Sequence, residues 1–387
     1  MYESREMSRS NKKKMKRKYI GLEDICENLY LAEAMAGSGI KARRPAVIEY
    51  RKNLKENLEN LKQRLLDGTY EPDPGHTFEI VSQGKHRLIH TVNYEARIVD
   101  QLIVNVLAPH MTRRYVRRTY GCIEGRGCIK ASMQLRRDMR HTNYLIKGDV
   151  SKYYPSIRRD LMMYFIRRIV KGEKFLHLVE SVLNAYQNTT LPDMLTQGLS
   201  IVSLKPQHFG HFFLTVFDCF VLQVLKLKYY VRYVDDVVLL FKSKAQARRV
   251  AQLIKDFMHD KMRLTLAKIR IAPLGRQIID FCMFQHRVDR QGRVYTFLRK
   301  STLIRFRRKL NFLRRSWRLQ RFASISQELE YISKERSSVC SYLGALKFCN
   351  SKQLLIQLQN QYHDIFTRIQ RCAKGARRRP ISNFAAA

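Results

Sequence analysis

Acidic residues are scarce in this chain of 387 residues. Asp and Glu number 33 against 73 Lys and Arg, a formal charge of +40. A chain this basic is unsuited to small cationic substrates and collects polyanions, so nucleic acid or an anionic membrane surface is the expected counterpart. Long apolar runs are also missing. Stretches such as 237–241 are far too short to span a bilayer, and no apolar segment of secretory type follows the basic run at 12–18. The eight cysteines form no CxxC pair and no zinc-finger spacing, which argues against a disulfide framework or a structural zinc site. No internal repeat is evident. Reduced thiols, a cytoplasmic location in a bacterial or phage host, and no membrane partner are the expectations. What is plentiful is apolar and aromatic: 45% of residues are hydrophobic and 10% aromatic, which excludes a disordered polycation and allows two or three packed domains.

Residues 1–20 read as a basic disordered arm. Ile25, Leu29, Ala32 and Met35, then Leu54, Leu58, Leu61 and Leu65, recur at helical spacing. Pro and Gly at 72–75 break that pattern. Thr77–Ser82 and Lys85–His90 alternate around a Gln83-Gly84 turn, which predicts a β-hairpin with a basic returning strand. A helix over 94–107, ended by Pro109, is expected next. Further on, strand 144–149, helices 161–170 and 176–186, a long apolar helix 209–225, strand–turn–strand 229–241, helix 245–258 and a strand-rich 263–271 follow. Residues 299–321 form an amphipathic helix with a basic face that includes Arg299, Arg305, Arg308 and Arg315, and the last hundred residues read as helical.

Two windows carry chemistry. In Arg232-Tyr-Val-Asp-Asp-Val-Val-Leu-Leu-Phe241 a pair of carboxylates, Asp235 and Asp236, interrupts an apolar strand pattern of the kind that is normally buried. Buried carboxylates need a compensating cation, and a hard divalent ion supplies one. Taken alone, the same pair also fits an ordinary hairpin turn facing water. In Tyr144-Leu-Ile-Lys-Gly-Asp149-Val-Ser-Lys-Tyr-Tyr154, an apolar strand runs into a single Asp, which by itself reads first as a cap or turn residue. Together the windows give strand–Asp, two helices, hairpin–Asp-Asp, the layout of a polymerase palm. Three carboxylates from neighbouring strands can hold two metals about 4 Å apart.

On those residues the chain resembles the reverse transcriptases, over roughly residues 22–348. Tyr233-Val-Asp-Asp236 is similar to the family's Tyr-x-Asp-Asp box, and Asp149 with Tyr153-Tyr154 to its first aspartate motif. The resemblance implies an α+β right-hand polymerase fold: fingers and N-terminal palm at 21–135, catalytic palm at 136–285, helical basic thumb and tail at 286–387. It implies that Asp149 and Asp235 bridge two Mg²⁺ ions (Mn²⁺ as substitute), that Asp236 takes a lesser part, and that the Val150 carbonyl touches a metal. Tyr154 stands where the family keeps a ring against the sugar, favouring dNTPs. Lys85 and Arg87 resemble the basic pair that grips the triphosphate, Lys268 the lysine that protonates pyrophosphate, and 279–284 the primer grip, with Cys282 and Met283 in place of Leu-Gly.

The segment Gly198-Leu-Ser-Ile-Val-Ser-Leu-Lys-Pro-Gln207 is similar to the Gly-Leu-Pro-Ile-Gly-Asn-x-Thr-Ser-Gln stretch of diversity-generating retroelement reverse transcriptases. In the register set by Gln207, Ile201 occupies the position that is a glutamine in most relatives. An aliphatic side chain there cannot read a base by hydrogen bonding, which implies relaxed selection and error-prone cDNA. Ser200, Val202, Ser203, Lys205 and Pro206 depart from that pattern. The resemblance implies template RNA, primer and cDNA, dNTPs and a small basic helical accessory protein as partners. A defence-associated bacterial reverse transcriptase is the alternative, and an RNA-binding scaffold with a degenerate polymerase fold is a third reading. An intron-type protein is disfavoured because no Cys/His cluster follows the thumb, and no second acidic cluster suggests an RNase H domain.

Overall fold

The computed structural model describes residues 16–82, 85–185, 198, 206–316 and 324–377. Mixed helix and sheet is the architecture. The chain divides into two compact units, whose described residues come from Met1–Gly125, Lys147–Val238 and Arg248–Arg270 in the first, and Arg126–Ile146, Leu239–Ala247 and Ile271–Ala387 in the second.

In the first unit, strand β1 (Lys18–Tyr19) leads into helices α1 (Leu22–Cys26), α2 (Leu29–Ala36), α3 (Pro45–Lys52) and α4 (Leu54–Asp67). Against the expectation of a disordered arm through residue 20, Lys18–Tyr19 pair in parallel with β5 (Val170–Lys171). Helix α4 buries Leu58, Leu61 and Leu65, one stripe of a 3.6-residue period, and stops where Gly68 at φ +75° returns its N–H to the Arg64 and Leu65 carbonyls. Ile25, Leu29 and Ala32 are buried as the spacing predicts, whereas Met35 is exposed. The hairpin of β2 (His76–Ser82) and β3 (Lys85–Thr91) is antiparallel with Phe78 opposite Ile89 and Ile80 opposite Arg87.

Helix α5 (Tyr94–Thr112) starts where the Asn93 side chain accepts from Ala96 N at 2.8 Å. Pro109 was expected to end it and instead lies inside it. The proline forfeits its own bond to residue 105, and the Thr112 hydroxyl donates to the Ala108 and Pro109 carbonyls in the last turn. The remaining elements of this unit include α7 (Tyr153–Ser156), α8 (Arg159–Arg167), α9 (Glu173–Ala185), α10 (Pro206–Phe213), α11 (Thr215–Cys219) and most of α12 (Lys244–Asp260), whose residues through Ala247 belong to the second. The helix expected over 161–170 thus ends at Arg167, because Val170 joins β5. The long helix expected over 209–225 is interrupted at Leu214 and ends in a π-turn over Phe220–Val224. Its ladder is disturbed where the His211 carbonyl accepts from the Thr215 hydroxyl and the Arg232 guanidinium. Phe209, Phe213 and Phe217 fill the core beneath. Strands β4 (Tyr144–Val150), β6 (Tyr230–Tyr233), β7 (Asp236–Phe241) and β8 (Leu266–Pro273) form a sheet in the order β6-β7-β4-β8.

In the second unit, α6 (Cys128–Met139) packs on β10 (Phe284–Val288) and β11 (Val294–Leu298), which with β9 (Ile279–Phe281) form an antiparallel sheet. Its last strand, β11, lies in a stretch expected to be helical. Helices α13 (Lys300–Ser316), α14 (Ile325–Lys347) and α15 (Lys352–Arg377) follow, sharing a core of Phe306, Leu310, Leu313, Val339, Leu343, Leu358 and Phe366. On α13 the opposite face is basic, and residues 317–321 of the expected helix lie outside the described residues. Among the described residues no helix is long and apolar enough to cross a membrane, and the seven described cysteines are free thiols.

Candidate active site

Strand β4 carries apolar Leu145 and Ile146 inward, then exposes Asp149 one residue before buried Val150. Lys152 turns the chain at φ +42°, and α7 begins with Tyr153 and Tyr154, their ring centroids 5.2 Å apart. Both rings lean on α10 at Gly210. A Cβ there would stand 2.8 Å from Tyr154 Cε1 and 3.2 Å from Tyr153 Cε1, so only glycine admits them without a shift. The Tyr153 hydroxyl donates to the Gly210 carbonyl.

Between β6 and β7 the chain turns on Val234 and Asp235. Val234 takes φ +57°, a left-handed conformation that a β-branched residue rarely adopts. Gly121 makes room beside it: a Cβ on Gly121 would lie 2.7 Å from both the nitrogen and Cγ2 of Val234. Beneath the turn sits Arg232, fully buried and paired with equally buried Asp218. Its Nε donates to Asp218 Oδ1 at 2.7 Å and Nη2 to Oδ2 at 2.5 Å, a bidentate fork. Nη1 reaches the Val234 carbonyl at 2.7 Å, and the Tyr230 hydroxyl donates to Asp218 as well.

The three carboxylates are brought within electrostatic reach of one another. Burial holds the Asp235 carboxyl above the usual carboxylate range, and Asp149 and Asp236 push it further, against its own backbone N–H and Arg232. Asp236 lies 3.4 Å from Lys147 Nζ. The Tyr154 hydroxyl is raised first by burial and then by Asp235, which places that ring beside the same carboxylate. Among the described residues no group of three His, Cys, Asp or Glu side chains stands close enough to form a finished metal cage. The donor chemistry nevertheless suits a hard divalent ion: oxygen ligands only, one of them half-buried beside two like charges.

Other expected site residues fall as follows. Lys85 and Arg87 lie on β3 and Lys268 on β8, their side chains outside the described residues, as is Ile201 with the segment 199–205. Gln207 is exposed on α10 and accepts from the Cys122 thiol at 3.7 Å. Cys282 makes the β9–β10 turn at φ +53°. On α13, Arg305, Arg308 and Arg315 are exposed, while half-buried Arg299 lies 3.5 Å from Asp280. Sequence reasoning missed Arg232, Asp218, Gly121 and Gly210. A signal existed for the first pair: an arginine inside an apolar strand requires a buried anion, and Asp218 is the acid within the apolar run 209–225.

Residues 72–313 match the family model described as "Reverse transcriptase (RNA-dependent DNA polymerase)". The chain belongs to the reverse transcriptase family, whose members are nucleotidyltransferases. It is 28% identical over 108 residues to "Nuclear intron maturase 1, mitochondrial" of Arabidopsis thaliana, a match covering 27% of this chain and 15% of the maturase. It is 22% identical over 300 residues to "Protein YkfC" of Escherichia coli (strain K12), covering 66% of this chain and 77% of that protein.

Proposed function

We propose that this chain copies RNA into DNA by two-metal nucleotidyl transfer, as a right-hand polymerase with fingers and N-terminal palm at 21–135, catalytic palm at 136–285 and a helical basic thumb and tail at 286–387. The observation that carries the reading is the convergence of Asp149, Asp235 and Asp236 in one electrostatic cluster beside Tyr154. Asp149, Asp235, Asp236 and the Val150 carbonyl are the groups that would hold Mg²⁺ or Mn²⁺. Bound there, the cations would activate the primer 3′-hydroxyl and neutralise the leaving pyrophosphate. Tyr154 bounds the sugar site and disfavours a 2′-hydroxyl. Lys85 and Arg87 hold the triphosphate, Lys268 supplies the proton to pyrophosphate, and Gln207 and Ile201 line the nucleotide site. Arg299, Arg305, Arg308 and Arg315 grip the template–primer backbone, where phosphate contacts position without specifying.

The diversity-generating type, with error-prone cDNA and a small basic accessory protein, rests on Ile201 and its neighbours. An intron-type lineage is the second reading, favoured by the maturase relative. Primer extension on a defined RNA with Mg²⁺ tests the activity, and sequencing of the cDNA tests the error spectrum. Asp235→Ala with Asp236→Ala should abolish extension, and equal yield from both proteins would end the catalytic assignment. Errors concentrated opposite adenines support the diversity-generating type, and a uniform low error rate supports the intron-type reading.

A further inference from the structure

We propose that Arg232, locked by Asp218, is a positioning residue that sets the cation affinity of the Asp235–Asp236 turn. The inference rests on the metal-binding reading of those carboxylates. A buried ion pair is a poor device for stability alone, since apolar residues of similar volume often serve as well. Here the guanidinium does more than pair. Two of its donors satisfy Asp218, and the others reach main-chain carbonyls, Val234 at 2.7 Å and His211 at 3.3 Å. The Val234 carbonyl belongs to the peptide unit that leads into Asp235. Because that unit is planar, fixing its carbonyl fixes the plane from which the Asp235 Cα departs.

The turn needs such a hold. Val234 at φ +57° is in a region that a β-branched residue keeps only when its surroundings impose it. Arg232 itself cannot swing away. Its N–H donates to the Arg118 carbonyl at 3.0 Å, and its own carbonyl accepts from Tyr120 N at 2.9 Å. The same segment brings Gly121 against Val234, so the turn is held by the guanidinium and by a glycine that leaves no slack. Like-charged Asp149, Asp235 and Asp236 repel one another. A rigid turn limits how far Asp235 and Asp236 can move apart from Asp149, where a loose one lets them separate.

The test uses the full chain and Mn²⁺ as probe, with free Mn²⁺ read by electron paramagnetic resonance, the Mg²⁺ dependence of primer extension, and a thermal melt for each protein. Arg232→Lys keeps a cation for Asp218, but a compact ammonium loses the planar fork whose separate nitrogens reach Asp218, Val234 and His211. Gly121→Ala leaves the ion pair intact and presses on Val234 from the other side. Both variants should raise the half-saturating Mn²⁺ concentration about tenfold, with extension recovering as metal is added. Should Arg232→Lys fail to fold, Gly121→Ala decides. A folded variant of either kind with unchanged Mn²⁺ titration overturns the inference, while a wild type that neither binds Mn²⁺ nor extends a primer removes the catalytic reading itself.

Discussion

Acid should weaken the second unit through one side chain. His286 on β10 is fully buried, with Nε2 2.7 Å from Ser132 Oγ on α6 and Nδ1 3.1 Å from Thr296 Oγ1 on β11. Both partners are hydroxyls and could accept from an imidazolium, so hydrogen bonding does not oppose protonation. Burial does, helped by the Arg136 charge, and holds the ring at about 4. In the unfolded chain the ring titrates near 6.5, so between those values the unfolded state binds more protons and stability rises with pH. The contribution is complete above pH 6.5 and is lost as pH falls toward 4. From the two values, the loss between pH 7.5 and pH 5 is about 2 kcal/mol. Urea unfolding across that range measures it, and working above pH 5 keeps clear of most carboxylate titration. His90 and His110 are also lowered by burial and add slopes of their own, so the comparison is with His286→Gln, which retains donor and acceptor but cannot titrate. The variant should be flatter by about 2 kcal/mol over the same range. Equal pH slopes would refute the reasoning.

Phe306, fully buried and stacked on Tyr342 at 4.8 Å, anchors α13. Phe306→Ala should cost about 3–5 kcal/mol, read by denaturant unfolding, and a loss under about 1 kcal/mol would mean that this core repacks freely. Replacing exposed Arg305, Arg308 and Arg315 together by Ala should leave the melting temperature near wild type. The salt dependence of binding to an RNA–DNA duplex should flatten by about one unit of slope for each phosphate that is no longer neutralised, and parallel salt plots would remove α13 from the proposed interface. Swapping Tyr154 for Ala should raise ribonucleotide incorporation relative to deoxyribonucleotide, measured by competitive extension, and unchanged discrimination would free that ring from its proposed role.

Much of the fold was legible where one period dominated. The stripe of Leu58, Leu61 and Leu65 announced a helix because one face of it is apolar, and the two β-rich runs on either side of Gln83-Gly84 announced a hairpin. The strand over 294–298 was hidden, since buried Thr296 and the facing His286 put polar residues on the inward side and erased the two-residue alternation. Pro109 misled in the other direction, as the helix runs on for three residues past it. The candidate site divides in the same way. Asp149, Asp235 and Asp236 could be read as exceptions in apolar strands, because charge in such a setting needs a reason that local sequence states by itself. That Arg232 finds Asp218, that Gly121 yields to Val234, and that Gly210 receives two tyrosine rings depend on contacts between distant segments. The family, the basic character and the acidic residues on which the chemistry would rest were readable from composition and local pattern. How the carboxylate turn is held emerged from packing alone, since a buried ion pair and the close approach of two backbones exist once the strands and helices have come together.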